Sequence, residues 1–312
     1  MNCTLLNIPN FCSSYYLLGL SKHLRLQYSG KGEFSRFDFR PLAIMEIGGK
    51  LVVVDNSDPV GVDAGLLAQA DLYFATNKLS DSPNYAHDKI IPLAPHYPVN
   101  SASVFLKVFW TRLFGKEGKE VAKELYRLQK RPQFQIEQEN RVEGNSLFFA
   151  GSIWKKEMEA NQLRYSFIKA CQKHPGVDFE GGFLPRDDGD NLGFDDALAP
   201  RRYPPREFMD LSRKSLFGFN NAAVLGAISW RVAEYLNIGI PIVSLPFRIE
   251  LPEYPAHGEQ IHMIAEIGEI PEFLDFAVAN HDYLNKLSKG GKRFFVEHCL
   301  PEVQAKRILA YL

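Results

Sequence analysis

The strongest constraint in this chain is the rhythm of its second half, where short apolar runs alternate with helical stretches. Residues 147–152, Leu-Phe-Phe-Ala-Gly-Ser, read as a strand that ends in a small-residue turn. A helix over 156–173 follows and stops before Pro175-Gly176. Residues 177–182 are a second strand ending in Gly181-Gly182, and 184–204 form a long polar loop rich in proline and charge. The same spacing predicts a helix over 206–214, a strand over 215–220, and a helix over 228–238 with Gly239 as its stop. Strands at 241–244 and 261–264 and helices from about 271 to the end complete the half. Such alternation builds a mostly parallel sheet. In these sheets ligands bind beyond the carboxyl ends of the strands, where the strand order reverses.

The first half has a related but less regular pattern. Residues 3–8 read as a buried strand, and Tyr16, Leu17, Leu20 and Leu24 fall at helical spacing. Two β-rich runs, 42–47 and 51–54, flank Gly48-Gly49-Lys50 and predict a hairpin. Residues 63–70 read as a helix, and 72–76 and 90–93 as strands. The stretch from 105 to 134 is different: eight basic residues stand against three acidic ones, a local charge of +5. Lys116, Lys119, Lys123, Arg127 and Lys130 recur at helical spacing, with Val121, Leu125 and Leu128 on another face. This helix, near 116–130, is a candidate for peripheral contact with anionic lipid, with Phe105, Phe109, Trp110 and Phe114 entering the interface. Ordinary solvation, with Glu120–Lys123 and Glu124–Arg127 pairs, explains it too. A polar linker ends at Glu143-Gly144-Asn145, which divides the chain into domains of 1–145 and 146–312.

Composition narrows the function classes. The chain has 312 residues, with 36 basic and 37 acidic side chains and a formal charge of −1. That balance argues against a nucleic-acid partner. The four cysteines, Cys3, Cys12, Cys171 and Cys299, are scattered and form no C-x-x-C pair, so neither a zinc site nor a disulfide framework is expected. The start does not read as a signal peptide, and no run is long and apolar enough to span a membrane. A cytoplasmic location, with membrane association on the cytoplasmic face, is the expectation.

The richest constellation is the run from Ser229 to Ser244, Ser-Trp-Arg-Val-Ala-Glu-Tyr-Leu-Asn-Ile-Gly-Ile-Pro-Ile-Val-Ser. Ile228, Val232, Tyr235 and Leu236 share one helix face. Trp230, Arg231 and Glu234 share another, three and four residues apart. A carboxylate can accept bonds from two ribose hydroxyls, and a guanidinium matches a diphosphate. An Arg231–Glu234 surface pair beside a packing Trp230 fits the same spacing. The run Glu-Tyr-Leu-Asn-Ile-Gly-Ile-Pro-Ile-Val-Ser, after the strand Ser-Leu-Phe-Gly-Phe-Asn, resembles the donor-binding segment of GT-B-fold glycosyltransferases over roughly residues 146–312.

That resemblance implies an α/β fold of two Rossmann-like domains facing a cleft. It implies transfer of a sugar from a nucleotide-sugar donor to a hydroxyl of a glycan or lipid-linked saccharide, with no metal and no cofactor beyond the donor. Glu234 takes the place of the ribose-binding glutamate. Gly226 stands where many retaining members carry an earlier glutamate, which leaves retaining and inverting chemistry both open. An inactive binding protein and a nucleotide-sugar epimerase are the alternatives. A dehydrogenase lacks its glycine fingerprint here.

Other candidates surround this frame. Gly151-Ser152 could offer backbone N–H groups to a diphosphate, and Gly182 could approach a base closely. Each also reads as a plain tight turn. Asn220, with Asn221, could bond the donor sugar or cap a helix. Arg164 and Lys155-Lys156 could meet phosphate charge, although solvated surface charge is the simpler reading for them and for Arg201 and Arg202. Asp58, or Asp55, in Asp-Asn-Ser-Asp-Pro follows a strand and could serve as the catalytic base, with His87 and His96 as rivals; turn chemistry explains the motif equally. Asp187, Asp188, Asp190, Asp195 and Asp196 read as a solvated loop. His257 and His262, with Glu259 between them, have ligand-like spacing but lack a further ligand, so no metal site is expected.

Overall fold

The computed structural model describes residues 2–312. The chain divides into two compact units. The first holds residues through Gln135 together with Arg248–Glu253 and Glu297–Leu312; the second holds Ile136–Phe247 and Tyr254–Val296.

The first unit is built on a six-stranded sheet. Its strands are β1 (Asn2–Leu5), β2 (Arg25–Tyr28), β3 (Leu42–Ile47), β4 (Lys50–Asp55), β5 (Leu72–Ala75) and β6 (Ile90–Pro92), in the order β2-β1-β3-β4-β5-β6. Only β3 runs against the rest: β1 is antiparallel to β3 and β3 to β4, whereas β1–β2, β4–β5 and β5–β6 are parallel. The expected hairpin is present, with Gly48 and Gly49 both at positive φ, the conformation a two-residue primed turn needs. Strand β2 lies in a stretch whose polar sequence gave no strand signal; as an edge strand it alternates exposed and half-buried residues. The helices are α1 (Ser14–Leu20), α2 (Ala64–Gln69), α3 (Ala102–Phe109) and α4 (Gly118–Gln129). Asp63 caps α2 by accepting from the Leu66 N–H at 2.8 Å.

The second unit carries β7 (Ser146–Ser152), β8 (Asp178–Leu184), β9 (Gly218–Asn220), β10 (Ile242–Ser244) and β11 (His262–Met263), each pairing in parallel with its neighbour in β7–β8 and in β9–β10–β11. Leu216 N–H donates to Ser146 O at 2.7 Å and Phe148 N–H to Ser215 Oγ at 3.0 Å, which sets β7 beside the segment entering β9. The two-stranded sheet β8-β7 and the three-stranded sheet β9-β10-β11 thus lie side by side in the order β8-β7-β9-β10-β11, with no ladder between β7 and β9, and the order reverses at that junction. Helices α5 (Met158–Lys173), α6 (Pro205–Lys214), α7 (Trp230–Ile238), α8 (Ile270–Ala279) and α9 (His281–Phe294) fill the connections. The core is rich in phenylalanine: Phe167 stacks on Phe219 with centroids 4.3 Å apart, and Phe217 meets Phe273 edge to face at 5.2 Å. Gly239 ends α7 in the left-handed conformation, its N–H bonding Tyr235 O at 2.8 Å.

After a π-helical turn at Phe295–Cys299 the chain closes with α10 (Pro301–Leu309), which packs on α1. Gly19 makes this contact feasible, since a Cβ there would lie 2.0 Å from Pro301 O. Gln304 then exchanges bonds with the backbone of Ala94. A single cut at 145 therefore does not describe the units. The last sixteen residues belong with the first, through long-range packing that local sequence does not encode.

Candidate functional site

The carboxyl edge of the second unit's sheet gathers most of the expected donor-site residues at the point where the strand order reverses. β7 delivers Gly151 and an exposed Ser152. β9 delivers Asn220 and Asn221, both buried. α7 begins here, with Ser229 as its cap: the serine side chain accepts from Arg231 N–H at 3.3 Å. The positive end of the helix therefore points to this edge.

Two guanidinium groups converge on it. Arg231 donates to Ala150 O at 2.6 Å and lies over the rings of Phe208 and Phe149, at 4.8 and 5.8 Å. Arg164 reaches from α5, donating to Asn221 Oδ1 at 3.1 Å and to Ser152 O at 3.2 Å, and stacks 3.8 Å from the Trp154 ring centroid. It is only 7% exposed. Burial, then the positive charge of Arg231, pull the Arg164 pKa down to about 9, and the Glu157 carboxylate opposes them. Arg164 still carries its charge at neutral pH. The acceptors of both guanidiniums are neutral, so two like charges share one edge without balancing ones bonded to them. Buried charge of this kind costs several kcal/mol unless it is compensated, and an anion placed between the two groups would compensate it.

The other residues occupy graded positions around this pair. Glu234 is half-buried on α7, one turn beyond Arg231, and Trp230 is exposed at the helix start. Asn220 Nδ2 donates to Ser244 Oγ at 2.8 Å, while its buried Oδ1 has no hydrogen-bond partner. Gly226 lies in the turn before α7, next to Leu225 at a φ of 55°. Gly182 is different. It has a φ of 130°, and a Cβ on it would lie 2.5 Å from Ala197 O, so its own chain passes close against it. The glycine is required by the packing of β8 against residues 197–199.

Beside Ser152 a cavity of about 310 Å³ opens between Ile153, Leu184, Pro185, Arg186, Asp187, Asp188 and Arg202. Its charges are paired. Arg186 grips Asp188 with two bonds of 2.9 and 2.8 Å, Lys155 meets the same carboxylate at 2.7 Å, and Arg202 meets Asp187 at 2.5 Å. Arg186 and Lys155 hold Asp188 well below the usual carboxylate range. In the acidic loop Asp187, Asp188 and Asp196 are thus ion-pair partners, while Asp190 and Asp195 accept from Leu192 N–H and Asn191 Nδ2. Arg201 is likewise bonded to Glu207 and Glu180.

The candidate bases lie in the first unit. Asp58 is exposed in the loop after β4. Asp55 is buried, accepting from Tyr73 OH at 2.5 Å and from Ser57 N–H at 2.9 Å, and burial raises its pKa. Its carboxylate is occupied in tying β4 to β5. His96 is buried against Tyr15 and Tyr16, and burial drives its pKa to about 3. His87 is exposed and accepts from Lys89 N–H. In the second unit, His262 packs on Phe273 and pairs with Tyr283, and His257 accepts from Met263 N–H. Among the described residues no group of three His, Cys, Asp or Glu side chains is placed to hold a metal ion.

From its neighbours in sequence Arg164 reads as surface charge. Nothing local marks it otherwise, because the group it bonds, Asn221, is 57 residues away.

Two α/β units, the second with parallel strands lying in the order 2-1-3-4-5 and a cationic edge at the switch point, define a GT-B-type architecture. A solved structure bears this out, and two others are similar at lower scores. A glycosyltransferase from Rickettsia africae ESF-5 is similar at a TM-score of 0.50 and 9% identity, covering 96% of this chain and 80% of that one. WaaG, a glycosyltransferase involved in lipopolysaccharide biosynthesis, is similar at 0.41 and 12%, covering 98% and 96%. A UDP-GlcNAc 2-epimerase from Neisseria meningitidis bound to UDP-GlcNAc is similar at 0.40 and 15%, covering 79% of this chain and 62% of that one. No family model matches the sequence, and no curated protein does. The fold is that of the GT-B glycosyltransferases, with two Rossmann-like domains.

Proposed function

We propose that this chain is a glycosyltransferase that moves a sugar from a nucleotide-sugar donor to a hydroxyl of a glycan or lipid-linked saccharide. The observation that carries the reading is the Arg164–Arg231 pair, two positive groups bonded only to neutral acceptors at the switch point. A diphosphate supplies the missing negative charge. As the bond from sugar to phosphate breaks, charge builds on the leaving diphosphate, and fixed guanidiniums with the α7 N-terminus stabilise it without a metal ion. Glu234 accepts bonds from the ribose hydroxyls. Trp230 lies along the nucleoside, the Gly151-Ser152 backbone faces the phosphates, and Asn220 Oδ1 accepts from a donor hydroxyl. Asp58 takes the acceptor proton. A lipid-linked acceptor places the reaction at a membrane surface, and peripheral contact near residues 116–130 belongs to the same reading.

A thermal-shift series with UDP, GDP, CMP, TDP and NAD tests the donor site, because a ligand that binds only the folded state raises Tm. One nucleoside phosphate should shift Tm, and Glu234→Ala should weaken that nucleotide's binding about tenfold. Silence with every nucleotide, or an unchanged response in Glu234→Ala, would remove this role. Product analysis separates transfer from epimerisation of the donor.

A further inference from the structure

The first unit carries a surface that the donor chemistry does not use. α3, the 3-10 turn Trp110–Phe114 and α4 follow one another and pack together. Of the four aromatic residues at 105–114, the structure buries Phe105 and Phe109 in the unit's core, correcting the expectation that all four face outward. Leu106, Trp110 and Phe114 remain outside, 43%, 55% and 84% exposed. They fall four residues apart along one ridge, and the rings of Trp110 and Phe114 meet at 6.5 Å. Isolated exposed apolar side chains are common, but a contiguous ridge marks an interaction surface.

The charge around the ridge has one sign. Each carboxylate of the segment is already taken: Glu117 by Arg112 at 3.1 Å, Glu120 by Lys123 at 3.2 Å, and the buried Glu124 by Arg127 at 2.5 Å and Phe11 N–H at 3.0 Å. Lys107, Lys116, Lys119 and Lys130 are exposed, and none of them forms an ion pair among the described residues. A second copy of the same face would set lysine against lysine. An anionic bilayer satisfies both features, since aromatic side chains settle at the headgroup boundary while lysines stay in the anionic surface layer.

We propose that Leu106, Trp110 and Phe114 insert into the headgroup region of an anionic membrane, with Lys107, Lys116 and Lys119 on its surface. The proposal refines the lipid-linked acceptor reading but rests on separate residues, so the two can fail independently. No helix among the described residues is long and apolar enough to cross a membrane, so this contact lies on the surface.

The test is co-sedimentation of the full chain with vesicles of phosphatidylcholine alone and with roughly one phosphatidylglycerol in three. Binding should require the anionic lipid and should fall steeply between about 0.1 and 1 M salt. The pair Trp110→Ser and Phe114→Ser should weaken it at least tenfold with Tm unchanged, because both side chains are exposed. Lys116→Glu with Lys119→Glu should weaken it at least as much. Brominated lipid should quench the fluorescence of the wild type and lose that effect in Trp110→Phe. Three results would overturn the proposal: no binding to anionic vesicles, equal binding to neutral ones, or a dimer in sedimentation velocity that disappears in the Trp110/Phe114 variant. Nucleotide-induced Tm shifts, read in parallel, report on the donor site alone and should survive in the ridge variants.

Discussion

The two sheets end in edges of the same kind and opposite chemistry. After β4, β5 and β6 the first unit places Asp55, Asn56, Thr76, Asn77 and His96. Its buried carboxylate is matched by its own neighbours, Tyr73 OH and Ser57 N–H. After β7 and β9 the second unit places Arg164 and Arg231, which are positive, close enough to perturb each other, and bonded to neutral oxygens. At one edge burial pushes the lone carboxylate toward its neutral form, and at the other two guanidiniums keep a positive charge that an anion would balance. Shared architecture therefore does not set the role of an edge. The charge left unbalanced there does.

The largest effect should come from breaking the cationic edge. Arg164→Met with Arg231→Met should lower kcat/KM for the donor by about a thousandfold, since one charge-assisted donor to a developing anion is worth roughly 10²–10³ in rate. Tm should change little, because the relief of repulsion between two poorly solvated charges offsets the bonds lost at Ala150 O, Ser152 O and Asn221 Oδ1. If Tm collapses instead, the arginines are structural and the contrast between the edges fails. The mirror experiment is Asp55→Ala. It leaves the Tyr73 hydroxyl and the Ser57 N–H without their acceptor, so chemical denaturation should show a loss of about 3 kcal/mol. Nucleotide binding should not change.

Acid sharpens the comparison further. His96 has a folded pKa near 3, against about 6.5 when unfolded. The unfolded chain therefore binds the proton first, and stability falls by up to roughly 1.4 kcal/mol per pH unit as pH drops from about 6.5 toward 3. Asp55 works in the other sense. Its raised pKa means that the folded state holds the proton longer, so its cost appears as pH rises through the carboxylate range and is absent below it. Unfolding curves at several pH values should show a shallower acid limb in His96→Leu than in the wild type. An unchanged limb would show that His96 is not a buried neutral group.

Much of the second unit was legible in advance. The strands at β7 to β11, the helix α7 and its stop at Gly239 depend on residues a few positions apart, so periodicity and turn chemistry announce them. The constellation Trp230, Arg231 and Glu234 was legible for the same reason, as one face of one helix. β2 was missed because an edge strand with a polar outer face carries no apolar alternation. Gly182 is ambiguous in sequence, since a glycine required by a passing backbone looks the same as one that admits a ligand. Glu124 was expected as a surface partner of Arg127. The pair forms, but the carboxylate is buried beneath it and also accepts from Phe11, 113 residues away.

The sequence by itself determined the local elements, their order and the α/β class, because backbone dihedrals and hydrophobic periodicity act over one or two turns of chain. Only the tertiary structure decided which polar groups lack a counter-charge and which aromatics stay wet. Arg164 became part of a cationic edge through bonds to Ser152 and Asn221. Trp110 and Phe114 stayed exposed while Phe105 and Phe109, in the same run, were buried. Both outcomes follow from packing between segments distant in the chain, and burial is a property of that packing rather than of any residue's neighbours in sequence.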